Sequence, residues 1–188
     1  MNEPVSEDHP LRKLFASLTE KTFAENLKWA DPNVSGYLAN LLVDFSDIER
    51  LYRIRDGKGM QLQEVSAMLL ESDFLLNAGS VEREREVHRH IGDFTLFMVG
   101  LFPEFLKRIK LNKLIHHPDF LLDYVKVGKT SYRNVSEFNY GEFRESVPLF
   151  RKLSENFEVC VMGLGCVRES LKRMARPNLQ LAGEILLN

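Results

Sequence analysis

From Val87 to Leu106 the chain is apolar on every side of a helix. Val87, Ile91, Phe94, Met98 and Leu101 form one stripe at helical spacing, while Leu96, Phe97 and Val99 cover the other faces. A helix without a polar face has to be surrounded by other helices, so this segment demands a fold built around it. Gly92 and Gly100 cost the helix about 1 kcal/mol each relative to alanine and let neighbours approach its backbone. Pro103, which has no amide proton to donate, is expected to kink or stop it.

The rest of the chain supplies partners of the right kind. Leucine occurs 28 times against 14 valines and 6 isoleucines. That bias favours helix, where unbranched side chains lose little rotamer freedom, over sheet. Pro10 opens a run with Leu11, Leu14, Phe15, Leu18, Phe23 and Leu27 at helical intervals. Asp31-Pro32 is a cap and first-turn proline ahead of Val34, Tyr37, Leu38, Leu41, Leu42 and Phe45. Ser46 and Glu49 have the spacing of a capping box, and Gly79-Ser80 reads as one helix end and the next cap. His117-Pro118-Asp119 marks a further start, and Pro177 is expected to end the helix carrying Arg168 to Arg176. Between Tyr52 and Leu62 the pattern alternates about Gly57 and Gly59, so a small hairpin near 52–62 is possible. The expectation is one all-α domain over residues 1–188, a bundle of six to nine helices with its buried helix near 84–102.

The run His90, Gly92-Asp93-Phe94, Leu96-Phe97, Gly100-Leu101-Phe102-Pro103-Glu104 resembles a pattern in a family of uncharacterised all-helical bacterial proteins. A later stretch, Asp123-Tyr124 with Gly128 and Tyr132, is similar to a second part of that pattern. The resemblance covers about the middle third of the chain. It implies a bacterial cytoplasmic protein and brings with it no activity and no catalytic residue.

Several function classes recede on composition. Twenty-five Lys and Arg against 27 Asp and Glu give a net charge of −2, which argues against a general nucleic-acid binder. The basic cluster Lys107, Arg108, Lys110 and Lys113 reads as a solvated face. Cys160 and Cys166 are too few for a disulfide framework and suit a reducing compartment, so a cytoplasmic location is expected. The polar, acidic start is no signal peptide, and no apolar run reaches membrane-spanning length, so no membrane is expected.

Two motifs imitate nucleotide loops. Gly128-Lys129-Thr130 ends like a P-loop, but the required first glycine is replaced by Asp123, a carboxylate facing an anionic ligand. Gly163-Leu164-Gly165 opens like a dinucleotide loop, but its third glycine falls on Arg168 with no βαβ unit around it. Both read instead as glycines packed within helices.

The remaining candidates lie on two helices. Glu86, His90 and Asp93 share one helical face, and a metal there would need further ligands from other helices. His88 sits four residues after Glu84 in the same charged start. His116-His117 reads as a cap before Pro118. Tyr124, Gly128 and Tyr132 are spaced by four, and Asp93 is a fitting acceptor for buried phenols. They form either a satisfied network or a small pocket opened by the glycine. Dense leucine in 178–188 makes that tail either docked on its own domain or an oligomer interface.

Two functional expectations follow. The leading one is a non-enzymatic protein-interaction or self-associating module, with a protein partner or a second copy bound and no cofactor. The alternative is a small-ligand, haem or metal-binding protein, or an enzyme, with its site between the 84–93 and 124–132 helices. Its candidates are His88, His90, Asp93, Tyr124 and Tyr132, and for a metal Glu86, His90 and Asp93.

Overall fold

The computed structural model describes residues 9–73, 77–111, 117, 119 and 122–186, with side chains up to 175 except that of 111. Among them the chain forms nine α-helices and no strand. These are α1 (Pro10–Lys21), α2 (Pro32–Asp44), α3 (Ile48–Leu51), α4 (Val65–Glu71), α5 (Val81–Leu101), α6 (Pro103–Leu111), α7 (Tyr124–Glu137), α8 (Val147–Glu155) and α9 (Phe157–Leu186). A π-helical turn, Thr22–Asn26, follows α1, and a 3-10 turn, Gly141–Ser146, precedes α8. No described helix is long and apolar enough to cross a membrane.

α5 is the axis, as its all-round apolarity requires. Val87, Ile91, Phe94, Leu96, Phe97 and Met98 are all buried. It packs most extensively on α7 and then on α9, with α4, α6 and α2 also touching it. The close approaches fall at glycines. A Cβ on Gly92 would stand 2.5 Å from the Tyr132 ring, and one on Gly100 would meet Leu164. On α7, a Cβ at Gly128 would strike both Phe157 and Thr95. This residue, P-loop-like in sequence, is therefore a mid-helix packing contact. Gly163 plays the same part in α9 by seating Phe23, while Gly165 has nothing within 4 Å of its would-be Cβ.

Helix starts follow local chemistry where one residue can supply it. Asp31 caps α2 through the Asn33 and Val34 amides, Ser80 caps α5 through Arg83, and Pro103 begins α6 just after α5 stops. The expected capping box shifts by one residue. Asp47, a carboxylate, takes the Glu49 amide, and the Ser46 hydroxyl instead donates to the Val43 carbonyl. The start expected at His117-Pro118-Asp119 moves to Tyr124, capped by Asp123 through the Lys126 amide.

Two further expectations resolve differently. Residues 54–62 form a tight turn with a single antiparallel bridge, Arg55 to Gln61, closed by bonds from Leu62 to Ile54 and Asp56 to Met60. Pro177 does not end its helix, because α9 continues to Leu186. Proline removes one helical bond and crowds the carbonyl four residues back, here Arg173. Lys172, Arg173, Met174 and Ala175 are all exposed, so water can take up that carbonyl. Lys113, His116, Phe120, Leu121 and the side chains of the 178–188 tail lie outside the described residues.

The two glycine environments give a signed test. Gly92→Ala should destabilise by about 1–3 kcal/mol through overpacking against Tyr132. Gly165→Ala should stabilise by up to about 1 kcal/mol through helix propensity. Urea denaturation of both variants checks this, and equal effects would contradict the packing described.

Candidate functional site

Ring-bearing side chains from several segments converge on α5 and divide into a sealed network and an open pocket. The network forms around Asp93, whose carboxylate is 6% exposed. Tyr37 from α2 and Tyr132 from α7 both donate to its Oδ1, at 2.5 and 2.8 Å. Arg89, one turn earlier on α5, reaches Oδ2 at 3.8 Å and donates from Nε to the Tyr37 hydroxyl at 3.2 Å. Its guanidinium also lies 5.6 Å from the Tyr37 ring centre. Burial pushes the Asp93 carboxyl above its ordinary range, opposed by Arg89 and the two hydroxyls. Burial and the neighbouring carboxylate hold both phenols protonated, as donors.

This arrangement satisfies its members and leaves no room for a substrate. Tyr132 is fully buried, with its ring against Phe150 and Phe157. The opening that a glycine between Tyr124 and Tyr132 suggested is filled, since Phe157 and Thr95 occupy the space beside Gly128.

The other expected members go elsewhere. Tyr124 donates to Asp119 at 2.7 Å, not to Asp93. Asp119 also accepts the Val65 and Ser66 amides at 2.9 Å each, so it caps α4 from 54 residues away. His88 is buried, with Nε2 3.2 Å from the Asn134 amide. Glu86 pairs with Arg83, away from His90 and Asp93. Among the described residues no three His, Cys, Asp or Glu side chains lie close enough to hold a metal.

His90 is sealed between the rings of Phe45 and Phe94 at 5.5 and 6.2 Å. It is 0% exposed and neither ring nitrogen makes a well-formed hydrogen bond, although the Leu51 carbonyl lies on its side of the ring. Burial, reinforced by Arg53, pulls its pKa down to about 3, so the ring is neutral.

The open feature lies on the adjoining stripe of α5. A pocket of about 560 Å³ is walled by Phe45, Tyr52, Phe94, Phe97, Phe102 and Phe105, with Met98 in its lining. Tyr124 and Asp119 line it too, next to Gln63, Glu64, Arg108 and His117. An aromatic cavity with a few polar groups on one side is the usual form of a small-molecule site. Sequence reasoning reached only Tyr124 of these, because the walls come from segments far apart in the chain. Arg89 stands four residues before Asp93, a local signal that was available; Tyr37 gives none.

Comparison with protein-family models, curated proteins and solved structures finds no match for this chain.

The buried histidine sets a pH dependence. An unfolded chain protonates His90 below its ordinary 6.5, whereas the folded protein resists until about 3. Stability is therefore full above pH 6.5 and falls through that window, by up to about 1.4 kcal/mol per pH unit. His88, also lowered by burial, adds to the loss with the same sign. His90→Leu should flatten this acid limb in urea denaturation at stepped pH; an unchanged slope would contradict the sealed position.

Proposed function

We propose that this protein is a non-enzymatic binding module that receives a small molecule with an apolar body in the aromatic pocket beside α5. The pocket's ring-lined wall carries the reading. It offers a large apolar contact surface beside polar groups that can orient a ligand. The groups suited to chemistry are committed elsewhere. Asp93 is enclosed by two phenols and an arginine, and His90 is closed off between phenylalanines. The Cys160 thiol is pushed up to about 12 by burial, far from a reactive thiolate. A cytoplasmic, bacterial setting accords with the resemblance and with two cysteines kept as free thiols.

One observation favours a second role, self-association through α9. Four consecutive residues of α9, Lys172 to Ala175, are exposed on all sides. The sequence that follows is rich in leucine, and an apolar stretch of that density suits a second copy.

The pocket reading is tested with N-phenylnaphthylamine, a dye that brightens on entering apolar surroundings. Saturable one-site binding is expected. Phe102 is 48% exposed and packs on Phe97, so Phe102→Ala should spare the fold. It should weaken binding about three- to tenfold with little change in Tm. Absence of saturable binding, or binding indifferent to Phe102, would contradict the proposal.

A further inference from the structure

The charges beside the aromatic pocket narrow what it takes, an inference that rests on the binding reading above. On one side, the Phe105 ring faces His117 at 6.3 Å, and the Arg108 guanidinium lies 6.0 Å from the centre of the Phe105 ring. Among the described residues no carboxylate pairs with Arg108, so its donors are open to a ligand. His117 Nδ1 accepts the Asp119 amide proton at 3.1 Å. The neutral ring then carries its own proton on Nε2, a second donor in the same corner.

The acceptor side is Glu64. Asp119 already accepts three hydrogen bonds, from the Val65 and Ser66 amides and the Tyr124 hydroxyl. Glu64 lines the same cavity close to Tyr124, near enough for its charge to act on that phenol. It makes no ion pair among the described residues.

We infer that the pocket takes a zwitterion with an apolar, preferably aromatic, body: a carboxylate set on Arg108 and His117 Nε2, and an adjacent ammonium set on Glu64. An aromatic α-amino acid has this chemistry. A bidentate guanidinium–carboxylate contact fixes the head, and the Tyr52 and Tyr124 side chains line the same cavity. A ligand with only an anion would place its charge beside Glu64 and Asp119. One with only a cation would leave Arg108 without a counter-charge. A wholly apolar ligand such as the dye gains the ring contacts but leaves these polar groups unpaired, so it binds less tightly than a zwitterion of the same size.

Displacement of N-phenylnaphthylamine by three molecules of one skeleton reads the head directly: phenylalanine, phenylpropionate and phenethylamine. Phenylalanine should displace the dye at least about tenfold more strongly than either singly charged analogue. Arg108→Gln should weaken phenylalanine about tenfold and phenethylamine less than about twofold; Glu64→Gln should weaken phenylalanine similarly and spare phenylpropionate. The inference is overturned if a singly charged analogue matches phenylalanine, or if both variants leave phenylalanine unaffected. Dye binding that none of the three displaces also overturns it while the pocket reading stands. Failure of the dye itself to bind removes both.

Discussion

A carboxylate taken out of water has to be matched by donors, and in this protein Asp93 is the group that imposes the requirement. Its partners come from three helices: Tyr37 on α2, Tyr132 on α7 and Arg89 on α5 itself. Each partner must arrive at the correct height and rotation, so the network ties down the placement of α2 and α7 on the central helix. The glycines act in the same direction. Gly92 lets the Tyr132 ring approach the α5 backbone closely, and Gly128 lets Thr95 and Phe157 close in on α7. Apolar burial supplies the driving force for the bundle, but it is tolerant of sliding. The polar contacts are what make one arrangement preferable to its neighbours.

The functional proposal depends on the same division of α5. One stripe carries Arg89 and Asp93 into a sealed, satisfied cluster. The adjoining stripe carries Phe94, Phe97 and Met98 to the pocket wall, with His90 shut in beside them. A cavity wall carried on a helix packed against five others is held in place before a ligand arrives, which lowers the ordering cost of binding. The remote cap from Asp119 to α4 holds the polar side of the cavity in place, since the same carboxylate also fixes Tyr124.

Much of the fold was legible because its signals are local. The apolar circumference of the 87–106 segment announced a surrounded helix, and Asp31, Ser80 and Pro103 marked boundaries through groups within four residues of them. Errors came where two neighbours compete or a distant residue intervenes. Ser46 and Asp47 can both cap, and the carboxylate prevails. Asp119 looked like a helix start because nothing nearby discloses that it serves amides 54 residues earlier. Tyr132 with Asp93 was legible from spacing and burial together, whereas Tyr124 on the same face turns to a different carboxylate. Of the pocket only Tyr124 was legible, since its walls are assembled from several separate segments and no spacing rule connects them.

The central claim is that Asp93 is held by two buried hydroxyls at once, and a double-mutant cycle on those hydroxyls tests it most directly. Tyr37→Phe and Tyr132→Phe, alone and together, would be measured by urea denaturation with exposed Tyr140→Phe as the reference. Each single change is predicted to cost about 1–3 kcal/mol, and the double to depart from their sum by at least about 0.5 kcal/mol, because both hydroxyls meet one oxygen. Two variants as stable as the Tyr140 reference, with additive effects, would contradict it.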